Sequence, residues 1–184
     1  MKRLKICSSL LVLFLAFGGA VTKASPEEPG NNSISCIVKV KFFQVRGNSL
    51  SPLINPGQTI KLLYGYYNCH PVERGDIIAY NYAGNDAPII KIVKAVPGDK
   101  WQLKKNNRQN SYQIMVNGGP LKNSDGKSYR IAESNIKMLK LYVQDYPTIP
   151  QNTYLILCNQ LSGSLDATRF GLIDKSDILG KLEQ

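Results

Sequence analysis

The sequence predicts a mostly β domain, a compact β-sandwich or partly closed barrel behind an N-terminal hydrophobic segment, and three observations predict it. Short runs rich in Val, Ile, Leu and Tyr recur along the chain, clusters of Gly, Pro, Asn and Asp separate them, and one stretch alone has helical spacing. With 184 residues, 43% of them hydrophobic, the chain is long enough for one domain with a real core and too apolar for disorder.

The elements follow in order. "ISCIVKVKFFQV" (34–45) alternates apolar and polar residues with β-branched enrichment and reads as a strand. Further strands are predicted at "TIKLLY" (59–64), "DIIAYNY" (76–82), "PIIKIVKAV" (88–96), "WQL" (101–103), "YQIMVN" (112–117) and "TYLILC" (153–158). The turns between them carry "NPG", "RGD", "PGD", "NGG" and "SDG", residue types that supply positive φ or local side-chain hydrogen bonds. "ESNIKMLKLYV" (133–143) is the predicted helix, with Ser134 as its cap.

Residues 1–24 read as a signal or membrane-anchor segment: "MKRLK" is basic, and Ile6 to Val21 carries no charge. Small residues in "TKAS" fit a cleavage site, while the length of the run also fits a retained anchor. In both cases the positive-inside bias places the rest on the extracytoplasmic side, anchored at the cytoplasmic membrane or released after cleavage. A polar Pro/Gly linker (25–33) leads into the domain (34–184). Lys2, Arg3, Lys5 and Lys23 contribute to the net charge of +10; the remaining excess is spread, apart from "KKNNR" (104–108). No nucleic-acid recognition module accompanies it, and an anionic membrane surface explains the same charge.

Cys7 lies in the first segment, leaving Cys36, Cys69 and Cys158, which permits one disulfide without saying which. The single histidine, His70, adjoins Cys69, with no second histidine and no Cys-x-x-Cys, so no metal site is expected. Arg74, Asp76 and Asp99 read as turn braces, and the single tryptophan, Trp101, as a core or membrane-facing aromatic.

In "GNSLSP" (47–52), Gly47 and Asn48 turn the chain and Pro52 fixes its exit, a geometry that presents a serine. A hydroxyl becomes a nucleophile only when a base takes its proton. His70 has nothing to support it in that role. Lysine is the alternative base, and Lys91 is flanked by Ile89, Ile90, Ile92 and Val93. Burying such a lysine would depress its pKa and make the neutral amine available, whereas at a sheet edge it would snorkel to water.

"GNSLSPLI" (47–54), "RGDIIAY" (74–80), "IIKIVKAVPGD" (89–99), "VNG" (116–118) and "SLDATRFG" (164–171), in that order, resemble the type I signal peptidases, the Ser/Lys leader peptidases. The resemblance covers most of residues 45–181. It implies the fold of that family, Ser49 as nucleophile, Lys91 as general base, Ser164 as the serine that orients the lysine, and Asp166 as the acid supporting that corner. It also implies that Val45, Ile54 and Ile90 line apolar pockets for small residues, and that the Ser49 N–H serves the oxyanion hole. Leu50 stands at the usual Met position, Ser51 at a variable one, and Gly47 where some members carry an oxyanion hydroxyl.

Departures are clear as well. The family's Gly-Asp-Asn becomes Cys158, Asn159 and Gln160; the Arg after the lysine becomes Ile92; and its Ser-Arg pair becomes Ala167 and Thr168, with Arg169 one place later. The expected function is a serine endopeptidase removing leader peptides from exported preproteins that carry small residues before the cut, at a membrane surface and without metal or cofactor. The rivals are a peptidase dedicated to one pilin or conjugative-transfer substrate, and a non-catalytic exported β-domain. A self-cleaving repressor would use the same dyad, but such proteins act on cytoplasmic DNA, against the leader.

Overall fold

The computed structural model describes residues 36–82, 87–161 and 165–183. The 1–24 segment and 25–33 linker lie outside these residues, as does Ser164.

Two antiparallel sheets form the domain. The larger has seven strands in the order β1-β2-β11-β3-β4-β9-β10. They are β1 (Lys39–Gln44), β2 (Thr59–Tyr64), β3 (Ile77–Tyr80), β4 (Ile89–Ala95), β9 (Thr153–Leu157), β10 (Ile173–Asp174) and β11 (Ile178–Glu183). The smaller sheet combines β5 (Trp101–Asn106), β6 (Ser111–Val116), β7 (Gly119–Pro120) and β8 (Arg130–Ala132), with β6 pairing the other three. The domain is mostly β, as its alternating runs predict.

Several boundaries differ from the sequence expectation. The predicted helix begins later and is led by a 3-10 turn, Glu133–Asn135, before α1 (Lys137–Asp145). Its N-cap is Ile136 with no side-chain cap bond, so Ser134 does not cap it. Strand β11, "ILGKLE", carries Gly180 and two charges and so escapes a propensity reading. It forms because β2 and β3 pair with it on both sides. A short helix, α2 (Ala167–Phe170), is capped by Asp166, whose carboxylate accepts from the Thr168 N–H at 3.0 Å.

Three apolar clusters surround the sheets. Trp101, Tyr112, Ile114 and Val116 of the small sheet pack with Leu155, Leu157 and the α1 residue Leu139. Val45, Leu50, Ile54, Leu62, Ile77 and Ile92 form a second cluster; Ile78, Tyr80, Val93, Tyr154 and Ile156 form a third. Trp101 is thus a core residue, its indole N–H donating to the Tyr146 carbonyl at 2.6 Å.

The turn motifs also converge. Arg74 of "RGD" grips both oxygens of Asp99 in "PGD" at 2.6 Å, and Asn117 of "VNG" donates to the same carboxylate at 2.7 Å. Asp76 is held separately, by the Lys181 ammonium at 2.6 Å and the Tyr67 hydroxyl at 3.0 Å. Gly75 and Gly98 take φ of 96° and 87° in these turns, a region open to glycine at little cost. A disulfide joins Cys36 to Cys69, bracketing β1, the loop after it and β2.

Candidate functional site

Ser49 sits in the loop (45–58) joining β1 to β2. The base of that loop is closed by the Val45 N–H donating to Gln58 and the Gly57 N–H donating to Val45, both at 2.8 Å. At its tip the Ser51 N–H donates to the Asn48 carbonyl at 3.0 Å, a four-residue turn that lifts Ser49 to the surface of the fold. Leu50 and Ile54, pointing into the second apolar cluster, pin the loop from beneath. Apolar burial is what makes a loop of this composition hold one shape.

Lys91 lies in the middle of β4, paired through Ile78 with β3 and flanked on the other side by β9. Only 4% of it is exposed. Its Nζ is 3.3 Å from the Ser49 Oγ and donates to the Ile90 carbonyl at 2.9 Å. Burial pushes the amine below the ordinary lysine value, and the nearby Cys158 and Asp166 offset part of that effect. A neutral amine that keeps one N–H on Ile90 has its lone pair to offer to the serine hydroxyl. The strand reading of Lys91 among isoleucines and valines therefore holds in its buried form.

Asp166 is buried beside this pair. Its carboxylate accepts from the Thr168 hydroxyl at 2.8 Å, the Cys158 N–H at 3.2 Å and the Cys158 Sγ at 3.0 Å. Arg169, next to Thr168, is exposed. Ile92 pairs with Leu157, so one further step along that register sets Cys158 opposite Lys91.

A cleft of about 560 Å³ opens next to the two residues, lined by Val45, Gly47, Ser49, Ile90 and Lys91. Phe42, Phe43, Ile60 and Leu182 make its other walls largely apolar. Val45 and Ile90, which the resemblance implies as pocket residues, are among the cleft's lining residues. Ile54 does not line this cleft: it is buried under the loop and packs with Leu50. His70 is exposed, stacked on Tyr66, and takes no part in the Ser49–Lys91 pair.

Sequence reasoning missed how the segment after β9 holds the Ser49 loop. The N–H groups of Asn159 and Gln160 both donate to the Ser49 carbonyl, at 2.8 and 3.1 Å. Their side-chain amides both donate to the Ser51 carbonyl, at 2.9 and 3.3 Å. The partners are main-chain carbonyls, so no pairing of side-chain types in the sequence could have revealed them.

Comparison with known proteins agrees with the motif series. The family model described as "Signal peptidase, peptidase S26" matches residues 32–184. Signal peptidase IB of Staphylococcus aureus (strain COL) is 27% identical over 146 residues, covering 76% of this chain and 74% of that protein. A protein named inactive signal peptidase IA, from the same strain, is 28% identical over 155 residues, covering 82% of this chain and 83% of its own length. Among solved structures, a signal peptidase I from Enterococcus faecalis V583 matches with a TM-score of 0.43 and 19% identity, over 62% of this chain and 98% of that one.

Proposed function

The chain belongs to the signal peptidase family, peptidase S26, and from that premise we propose that it is a serine endopeptidase cutting leader peptides with Ser49 as nucleophile and Lys91 as general base. The observation that carries this reading is the 3.3 Å approach of a buried, pKa-lowered lysine to a serine at the mouth of an apolar cleft.

Neutral Lys91 takes the Ser49 proton as Oγ attacks the substrate carbonyl carbon. The resulting oxyanion is met by the Ser49 N–H, and the Lys91 ammonium then protonates the leaving amine as the peptide bond breaks. An acyl-enzyme on Ser49 remains. Lys91, neutral again, removes a proton from water, which attacks the ester and frees Ser49. Val45 and Ile90 face the cleft as shallow apolar contacts for small side chains before the cut. Asp166 and Ser164 act in support of Lys91.

A membrane-surface location has its own support. Val38 just before β1, Val40 and Phe42 on it and Leu53 in the loop after it are exposed, with Phe42 67% exposed while it lines the cleft. Exposed apolar side chains on and around the strand that leads to the cleft are suited to a lipid interface. Among the described residues no helix is long and apolar enough to cross a membrane; residues 1–24 are the proposed attachment.

A second reading, a binding domain without catalysis, draws on the altered Cys158–Asn159–Gln160 segment and on a relative named inactive. One experiment separates the two. The purified chain is incubated with a preprotein bearing alanines before its cut site, beside Ser49→Ala and Lys91→Ala. Cleavage by the wild type alone is the expected result; an uncut preprotein, or cleavage by either variant at the wild-type rate, refutes the peptidase reading.

A further inference from the structure

Asn159 is 1% exposed and every polar group it has is engaged. Besides its N–H on the Ser49 carbonyl, its Nδ2 donates to the Ser51 carbonyl at 2.9 Å and to the Ser124 Oγ at 2.7 Å. Its Oδ1 accepts from the Ser124 N–H at 2.9 Å, and its carbonyl accepts from the Asn123 Nδ2 at 3.2 Å. Both amide donors are thus used, one on the Ser51 carbonyl and one on the Ser124 hydroxyl, and the amide acceptor is taken by the Ser124 N–H, the full side-chain donor capacity of asparagine.

The two peptide planes that flank Ser49 are each held by a hydrogen bond, the second of them by Asn159 itself. The plane before it contains the Asn48 carbonyl, held by the Ser51 N–H. In a trans peptide the Ser49 N–H points opposite that carbonyl, so the turn aims it. The plane after it contains the Ser49 carbonyl, held by Asn159 and Gln160. The same Asn159 side chain holds Ser51, the residue closing the turn, and through Ser124 ties it to a turn distant in sequence from both strands of the loop, where Asn123 also holds the Asn159 carbonyl. Lys91, by contrast, is fixed by β4 and its ladder.

We propose that Asn159 is the positioning residue of the nucleophile: by holding the Ser49 and Ser51 carbonyls, it sets Oγ against the Lys91 amine and aims the Ser49 N–H at the oxyanion. An amide is required here, because a carboxylate would turn an acceptor toward the Ser51 carbonyl in a buried place. The aspartate expected at this position from the family resemblance would therefore not serve this chain.

The inference rests on the peptidase reading, and the test separates their failures. kcat and KM are measured on a leader-spanning peptide for the wild type, Asn159→Ala, the near-isosteric Asn159→Asp and Ser124→Ala, with melting temperatures alongside. Tyr67→Phe, which removes the Tyr67–Asp76 bond elsewhere, serves as a control for stability loss alone. In Asn159→Ala and Asn159→Asp, kcat is expected to fall about thirty-fold or more with KM within about two-fold, as a misplacement of the reacting atoms would produce. Ser124→Ala touches nothing reactive and is expected to cost several-fold in kcat, and Tyr67→Phe nothing. The acid limb of the pH–rate profile should not move, because the contacts of Lys91 are intact. Near-wild-type kcat in the Asn159 variants, or a loss that Tyr67→Phe shares at equal melting temperature, overturns the positioning role alone. If the Asn159 variants do not fold, Ser124→Ala decides, and an unchanged kcat there overturns it. A wild type that leaves the peptide uncut overturns both readings.

Discussion

Replacing Lys91 with methionine keeps the unbranched stem and removes the amine, which makes its effect on stability as informative as its effect on rate. Burial lowers the pKa of Lys91 in the folded chain below the ordinary 10.5. Below that folded pKa both folded and unfolded chains bind the proton, and the fold carries the whole cost of a buried ammonium. Between the folded pKa and 10.5 only the unfolded chain binds it, so stability rises with pH by about 1.4 kcal/mol per unit. Above that window the slope vanishes, and the wild type keeps its hydrogen bonds to Ser49 and Ile90. Each is a net gain of about 1 kcal/mol. Lys91→Met lacks this contribution, while that of Lys94, whose amine burial also pushes down, is common to both proteins. Its unfolding free energy should therefore gain on the wild type as pH falls and lose to it above the window. Urea unfolding of both proteins from mildly acidic conditions to about pH 10 measures this. The wild-type kcat/KM should fall about tenfold per pH unit below the same pKa, since only the free amine takes the serine proton. Parallel stability curves with a constant offset would refute the buried, perturbed amine on which the proposed chemistry depends.

Three other outcomes follow from the structure. Gly47→Ser meets no atom within 4 Å of the new Cβ, so it should fold as the wild type; a hydroxyl there should raise kcat several-fold if it reaches the oxyanion, read in steady-state kinetics. Cys69→Ala removes the Cys36–Cys69 link and should cost about 2–4 kcal/mol in chemical unfolding, with the Ser49 loop inside the released span. Cys158→Ala removes the one thiol proton shared between the Gln160 carbonyl and the Asp166 carboxylate and should cost about 1 kcal/mol in chemical unfolding, whereas Cys158→Ser, which retains a donor, should recover most of it.

The strands legible in the sequence are those whose stability is local to their own pattern. β2 and β4 are β-branched runs closed by Gly and Pro turns, and their predicted spans fall within a residue of the observed ones. β8 and β11 were not legible, because three residues of "RIA" and a charged, glycine-bearing "ILGKLE" become strands only when partners pair with them. In the site, a turn around Ser49 and an apolar strand around Lys91 left both roles open, and only the series of motifs singled out the pair that the fold brings to 3.3 Å. Ile54 was named as a pocket residue by the resemblance alone; its burial under the loop depends on how residues 45–58 fold back, which no periodicity encodes. Asn159 and Gln160 were invisible for a different reason. They act through N–H groups and on carbonyls, parts common to every residue, so only the fold discloses them.

The most direct measurement is the site of acylation. A serine-acylating inhibitor is incubated with the wild type, Ser49→Ala and Lys91→Ala, and the adduct is located by peptide mass spectrometry. The expected result is a single adduct on the peptide containing Ser49, absent from Ser49→Ala and strongly slowed in Lys91→Ala, with Ser51 unlabelled throughout. An adduct that persists in Ser49→Ala, or forms at the wild-type rate without the Lys91 amine, contradicts the dyad.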